Sequence, residues 1–306
     1  MNENIKFLIL VAGCRAGAEL FHSLLDNHQQ IIQFPGTIFF NKKFIKSLKS
    51  NYEKIAVNFI DTYPHFFDSR LKTVERHHML GENKDEFYFV DKIRFKENFL
   101  NLDKKNKKKS IQNVIIDLHC AYQKTINNQF NLKDVKYILI NTHTLVNTKN
   151  FHQISTDFEY EIIHSIRHPI SAINSATKNW INYKRGVHFN AKDIFFQINL
   201  ITQAINFLKK LNRKLFVIQL ENMHQNSENF INDFCNIFNI KKSKNLFKST
   251  FHGKKWWGDA VSNRFLTGLN KNFVIQTDNY DFVTNDDCIF FYEIMKIFFI
   301  NYGYET

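Results

Sequence analysis

Residues 7–12 are apolar without interruption. A strand with one wet face alternates apolar and polar positions, so an unbroken run of strand length predicts a strand buried on both faces. Gly13 and Gly17 break the run, and from Glu19 onward Leu20, Leu24 and Leu25 recur at helical spacing. The opening unit is therefore expected to be strand, glycine turn, helix. A second short run at 31–34 is stopped by Pro35 and Gly36. Apolar runs return at 136–141, 160–166 and 215–220, each followed by helix-like sequence. This alternation predicts an α/β fold, a central parallel β-sheet flanked by helices with right-handed crossovers. Between residues 41 and 131 the periodicity turns helical, with long polar intervals. That stretch is expected to be a mostly helical insertion or lid within a single domain spanning 1–306, and such insertions tend to cover the sheet edge where ligands bind. The segment 114–122 is expected to lie against the sheet, and the aromatic-rich 288–302 to pack as core. There is no internal repeat.

A chain of 306 residues can bury a substantial core without staples. Its 41 Lys and Arg against 29 Asp and Glu give a formal charge of +12, which implies an anionic partner: a nucleotide, an acidic glycan, a phospholipid head group or nucleic acid. No helix-turn-helix, RNP or zinc motif accompanies the basicity, so no nucleic-acid partner is expected. The lysine run at 104–109 reads as an exposed loop. Cys14, Cys120, Cys235 and Cys288 are scattered without a C-x-x-C spacing, which argues against a zinc site or a disulfide framework. The N-terminal apolar run is about eight residues long, too short to span a bilayer, and no small-residue cleavage site follows it. A soluble cytoplasmic protein is expected, with peripheral membrane contact open to it if its acceptor is lipid-linked.

Three places carry candidate chemistry. Backbone N–H groups of the glycine turn that opens the first helix can cradle an anion. A Walker A loop would add a Lys-Ser/Thr pair, and nothing after Gly17 supplies one, which disfavours an ATPase or kinase. Further along, an apolar strand runs into a helix opened by Pro169, with Arg167 at the strand end and Ser175 two helical turns later. That pair can converge on one phosphate, the guanidinium as a two-pronged donor and the hydroxyl as a third. His143 falls at the C-terminal end of a predicted strand, the edge where α/β sheets bind ligands. Singly, each has an ordinary explanation: a glycine turn before a helix, an Arg capping a loop, a histidine satisfying a loop carbonyl.

In this order and at these intervals the elements resemble the sulfotransferases that use 3′-phosphoadenosine 5′-phosphosulfate (PAPS). Arg167, Pro169 and Ser175 resemble the family's 3′-phosphate element. Arg15, Ala16, Gly17, Ala18, Glu19 and Leu20 resemble its 5′-phosphosulfate loop, a basic residue followed by Ser-Gly-Thr-Thr/Ser and an apolar residue. Ala16, Ala18 and Glu19 stand where the family has hydroxyls. A carboxylate beside a phosphosulfate is repulsive unless turned away or paired, so Glu19 is expected to point aside or to pair with a neighbouring cation such as Arg15. Asn141, Thr142 and His143 resemble the Lys-Thr-His element, with Asn141 in place of the lysine. Gly253, Lys254 and Lys255 resemble the C-terminal glycine-and-basic loop that folds over the nucleotide. Trp256 and Trp257 beside them either pack on the adenine or acceptor, or anchor the loop to the core. Residues 217–223 resemble the strand ending Tyr-Glu-Asp-Leu, with Leu220 where Tyr is usual and Glu221 expected to cap or orient the turn.

The resemblance implies a PAPS-dependent sulfotransferase, transferring a sulfuryl group to an acceptor hydroxyl or amine. It makes His143 the general base, a task that suits a neutral imidazole near neutral pH. It places Arg15, Arg167 and backbone amides on the charged donor, with Ala16 to Leu20, Ser175, Gly253 and Lys254 or Lys255 completing the donor site. No metal is required. A surface polysaccharide sugar or a glycolipid is the expected acceptor, and the missing loop hydroxyls keep open a catalytically inactive nucleotide- or glycan-binding protein on the same fold.

Overall fold

The structure, a computed structural model, describes residues 5–13, 15–103, 110–127, 129–182, 191–260, 265, 267–272 and 283–304; Cys14 and the lysine run at 104–109 lie outside them. Strands β1 (Lys6–Ala12), β2 (Ile31–Gln33), β3 (Tyr137–His143), β4 (Tyr160–Ile166) and β5 (Leu215–Gln219) form one parallel sheet in the order β2-β3-β1-β4-β5. β1 is central, and its two faces serve different cores. Phe7, Ile9 and Val11 join one hydrophobic cluster, Leu8 and Leu10 another, and all five are fully buried. Burial on both sides is why the sequence there admits no polar residue.

Helix α1 (Ala18–Leu24) follows β1 through the glycine turn. Between β2 and β3 lie α2 (Lys42–Ser47), α3 (Tyr52–Thr62), α4 (Pro64–Phe67), α5 (Lys92–Asp103) and α6 (Ile111–Ile126). Asn41, Asn51 and Ser110 cap three of these by accepting from the backbone N–H of Phe44, Lys54 and Asn113. Their buried aromatics, among them Phe59, Phe66, Phe95 and Tyr122, continue the same core that receives Phe7 and Ile9. α6 lies against β2, where Gln123 Nε2 donates to the Gln33 carbonyl at 3.1 Å.

After β3 the chain carries α7 (Leu145–Ile154), α8 (Pro169–Asn182), α9 (Ala191–Lys210), α10 (Leu220–Gln225), α11 (Ser227–Ile237), a hairpin of β6 (Thr250–Phe251) and β7 (Lys254–Lys255), and α12 (Asn285–Tyr302). Phe151 of α7, Leu208 of α9 and Phe251 of the hairpin join the core of Phe7 and Ile9, whereas α10 and α11 pack with α1 around Leu8 and Leu10. A capping box between Thr284 and Asp287 starts α12, and Gly303 in the left-handed conformation ends it. Phe291, Met295, Phe298 and Phe299 of α12 pack with Ile166, Ile173 and Ile201 as a third cluster. Among the described residues no helix is long and apolar enough to cross a membrane.

What matters for function is register. Leu10 pairs with Asn141 and Val11 with His143 on one side of β1, while Val11 pairs with His164 and Ala12 with Ser165 on the other. The loops after β1, β3 and β4 therefore leave the sheet side by side at its C-terminal edge, the position at which open α/β sheets bind ligands.

Candidate active site

The turn from β1 to α1 is tied to β4. The Gly13 N–H donates to the Ser165 carbonyl at 2.7 Å, and Ser165 Oγ donates to the Ala16 carbonyl at 2.5 Å. Gly17 caps α1 with φ +77°, and a Cβ there would lie 2.4 Å from Leu220 Cδ1, so both conformation and space demand glycine. Ala16 and Ala18 are buried, and Leu20 bridges two of the cores. Arg15, itself at φ +46°, sends its side chain across the sheet edge: Nε lies 3.4 Å from Ser175 Oγ and a terminal nitrogen 3.4 Å from Asp259 Oδ2. The structure thus brings together Arg15 and Ser175, which come from separate strand-to-helix turns. Arg167, at the end of β4, lines a small cavity with Gly13, His164, Ile166, Ile201 and Phe298. Glu221 holds the turn that follows: its Oε1 accepts from the His168 N–H at 3.0 Å and its Oε2 from the Tyr304 hydroxyl at 3.1 Å.

Glu19 does not pair with Arg15, the cation suggested for it. Arg15 reaches Ser175 and Asp259, whereas Glu19 lies among residues of β3 and α1. Its Oε1 accepts from Asn141 Nδ2 at 2.9 Å and sits 3.6 Å from His143 Nδ1, and its Oε2 is 3.7 Å from His22 Nδ1. Burial pushes the Glu19 carboxyl up. The His22 contact and the Lys72 ammonium, with the rings of His22 and His143 beside it, outweigh it, so the carboxyl is held well below the usual range and stays ionised. His143 has an exposed side chain on a left-handed backbone, φ +57°, and its backbone N–H donates to Asn141 Oδ1 at 3.0 Å. Lys72 enters from the segment between α4 and α5 and also lies 3.8 Å from Glu75.

The hairpin goes elsewhere. Lys254 is ion-paired with Glu86, and Lys255 with Glu82 at 2.6 Å, so neither lysine is brought to Arg167 and Ser175. The physical reason is the acidic 82–86 stretch, which the hairpin meets edge to edge: the Gly81 N–H donates to the Lys255 carbonyl at 2.9 Å. Both indoles anchor this contact, Trp256 Nε1 donating to the Glu75 carbonyl and Trp257 Nε1 to the Gly81 carbonyl, each at 2.6 Å. At the hairpin tip Gly253, φ +71°, donates its N–H to Asp26 Oδ2 at 2.8 Å. From there the chain returns Asp259 to Arg15. Among the described residues no three His, Cys, Asp or Glu side chains are placed to hold a metal ion.

No protein-family model matches this sequence, and no curated protein matches it. Solved structures do. The sulfotransferase domain from the curacin biosynthetic pathway aligns with a TM-score of 0.51 at 14% identity, covering 95% of this chain and 98% of that one. The fold is that of a sulfotransferase domain. Two further similar structures are the sulfotransferase domain of the olefin synthase of Synechococcus PCC 7002 (TM-score 0.49, 10% identity, 97% and 96% covered) and the sulfotransferase STF9 from Mycobacterium avium (0.45, 11%, 99% and 78%).

Within this sulfotransferase fold, two residues at the site carried no role in the sequence, Asp259 and Lys72, and His22 stood there only as a fallback for the base, with His119. Asp259 is 244 positions from its partner Arg15, and no local pattern announces so distant a contact. Lys72 sits in an irregular stretch without periodicity. His22 was visible as a residue of the first helix, but its complete burial beside Glu19 was not.

Proposed function

We propose that the chain is a sulfotransferase enzyme that moves a sulfuryl group from PAPS to an acceptor hydroxyl or amine, with His143 as the general base. The observation that carries this reading is the convergence of Arg15 and Ser175, 160 positions apart in sequence and 3.4 Å apart in space. It joins the basic residue of the phosphosulfate-loop resemblance to the serine of the 3′-phosphate resemblance at one sheet edge. Arg15, Arg167 and Ser175 would hold the donor's anionic groups, with fixed guanidinium and hydroxyl donors that need no reorganisation as charge moves. The acceptor oxygen or nitrogen attacks sulfur as the bond from sulfur to the 5′-phosphate oxygen breaks. The acceptor's proton passes to the His143 ring, and 3′-phosphoadenosine 5′-phosphate departs. The high positive charge favours an acidic or lipid-linked acceptor, a surface polysaccharide sugar or glycolipid met in the cytoplasm.

A second reading, a nucleotide- or glycan-binding protein without turnover, is favoured by the buried ionised Glu19 in the loop and by Ala16 and Ala18 in place of hydroxyls. One experiment addresses both. Thermal unfolding is followed with 3′-phosphoadenosine 5′-phosphate and with AMP; at about a hundred times its dissociation constant the former should contribute ~2.7 kcal/mol, and Arg167→Ala or Ser175→Ala should erase its advantage. Equal shifts for the two nucleotides would remove the donor assignment. Sulfuryl transfer from PAPS to a panel of glycan acceptors separates enzyme from binder.

A further inference from the structure

The carboxylate at position 19 has a use that neither the fold nor the donor reading assigns to it. We propose that Glu19 is a positioning residue for His143: it accepts the ring's Nδ1–H, which leaves Nε2 as the nitrogen that meets the acceptor. The inference rests on the reading of His143 as the base.

Four observations support it. Glu19 Oε1 is 3.6 Å from His143 Nδ1, on the ring nitrogen nearer the backbone; contacts of this kind are commonly long before substrate binds and tighten afterwards. Asn141 braces both partners at once, donating from Nδ2 to Glu19 Oε1 at 2.9 Å and accepting the His143 backbone N–H on Oδ1 at 3.0 Å. An amide can do this because it carries a donor and an acceptor on one planar group; a lysine has donors only. Third, His143 occupies a left-handed backbone conformation uncommon outside glycine, φ +57°, and its side chain emerges at the sheet edge. Fourth, the carboxylate is itself fixed, because His22 lies 3.7 Å from its other oxygen and the side chain of Glu19 is only 13% exposed. The remaining charged and titratable groups around the pair are Lys72, Glu75 and His77 from the segment between α4 and α5.

The chemistry follows from the tautomer. A neutral imidazole has one N–H and one lone pair, and which nitrogen carries the proton is set by the partner of the other. With Glu19 on Nδ1, the lone pair is held on Nε2. When the ring takes the acceptor's proton there, the imidazolium forms beside a carboxylate that stabilises it, the arrangement by which an aspartate orients the histidine of a hydrolase triad. The same contacts explain how an anion is tolerated in a loop read as an anion cradle: its charge is directed at His143, His22 and Lys72.

The test uses the full chain labelled with ¹⁵N, and histidine side-chain ¹H–¹⁵N correlations at a pH where His143 is neutral, with the signal assigned by its loss in His143→Gln. The proton is expected on Nδ1 in the unaltered protein and redistributed toward Nε2 in Glu19→Gln. In that variant kcat should fall at least about 10-fold, the direction seen when a histidine loses its orienting carboxylate, while affinity for 3′-phosphoadenosine 5′-phosphate stays within about threefold. A proton on Nε2 in the unaltered protein overturns the inference, and so does a tautomer that Glu19→Gln leaves unchanged. The unaltered protein alone decides the matter if Glu19→Gln does not fold. Because the tautomer is read without turnover, a chain that shows the switch but transfers no sulfuryl group refutes the catalytic reading and not the Glu19–His143 geometry.

Discussion

Acid should unfold this protein well above the pH at which its carboxylates titrate, and the cause is buried imidazole. His77, His119 and His164 are inaccessible to solvent or nearly so. Burial holds the His119 ring down to about 3 and the His164 ring down to about 4, and burial with the Lys72 charge holds His77 well below its ordinary value. The neutral rings suit their sites. His119 gives its Nδ1 proton to the Ile115 carbonyl at 2.7 Å and lies against Phe34, ring centres 4.0 Å apart, while neither nitrogen of His164 has a hydrogen-bond partner. In the unfolded chain each ring takes a proton near pH 6.5, so the unfolded state binds more protons and stability falls as pH drops through 6.5 toward the folded values. At pH 4.5, two units below the unfolded value, each ring costs about 3 kcal/mol, and three cost about 8, a large part of a typical folding free energy of 5–15 kcal/mol. Asp26 and Glu75, which burial pushes up, work in the opposite sense from their ordinary values up to their raised ones and offset up to two protons there. His164→Phe therefore isolates the effect. It removes no hydrogen bond, so stability at pH 7.5 should be unchanged or higher, and the slope of unfolding free energy against pH between 6 and 5 should fall by about one proton, ~1.4 kcal/mol per pH unit. Urea denaturation at half-unit pH steps from 7.5 to 4.5 measures both. A variant with the slope of the unaltered protein would refute the account of His164.

Three further outcomes are expected. Gly17→Ala should lower stability by roughly 2–4 kcal/mol in urea denaturation, from about 1–2 kcal/mol for the left-handed backbone plus the displacement of Leu220; placing it in a Leu220→Ala background should cut the penalty by about half, and an equal penalty in both backgrounds would show that the 2.4 Å clash is relieved elsewhere. Asp26→Asn keeps an oxygen for the N–H of Gly253 and the hydroxyl of Thr250 but loses a charge that burial disfavours. A raised folded pKa means stability lost as pH rises through it, so the variant should gain on the unaltered protein from pH 4 to 7.5, and a loss above about 1 kcal/mol at pH 7.5 would contradict this. His143→Ala should lower turnover by roughly 10²–10⁴-fold with nucleotide affinity nearly unchanged, the usual worth of a positioned base; intact turnover would move that role to another residue.

The sheet was legible because strand burial writes itself into contiguous sequence. β1 feeds two cores and its apolar run is unbroken, while β4 keeps Tyr160, Ile162, Ile163 and Ile166 for the cores around Glu161, His164 and Ser165; the limits of both were read to within a residue or so. β2 ends at Gln33, one residue before the end of its apolar run, and Phe34 turns into the aromatic core against Phe59, Phe66 and His119. Residues 72–91 were not legible. They hold no helix; isolated bridges pair Asp68 with Phe89 and Leu80 with Glu86, and the hairpin of β6 and β7 docks on them. A segment whose backbone partners lie up to some 180 positions away has no period to detect.

The same distinction runs through the site. Arg167 and Ser175 belong to one strand-turn-helix unit, so local spacing placed them, whereas the contact of Arg15 with Ser175 needs the register of β1 against β4. The departures from the sulfotransferase pattern show most clearly what spacing leaves out. Glu19 and Asn141, 122 positions apart, read as two independent losses: a hydroxyl replaced by an anion, and a cation replaced by an amide. Adjacent strands make them one change, because Asn141 donates to Glu19 and the charge surrendered at 141 is met by Lys72 from outside the sheet. A lysine at 141 would put a second cation beside Glu19 and leave the His143 N–H without its acceptor; a threonine at 19 would leave His143, His22 and Lys72 without their anion. The two substitutions act on shared partners, so their separate costs should not add up to the cost of both together. That non-additivity belongs to contacting residues and would be absent from two unrelated losses.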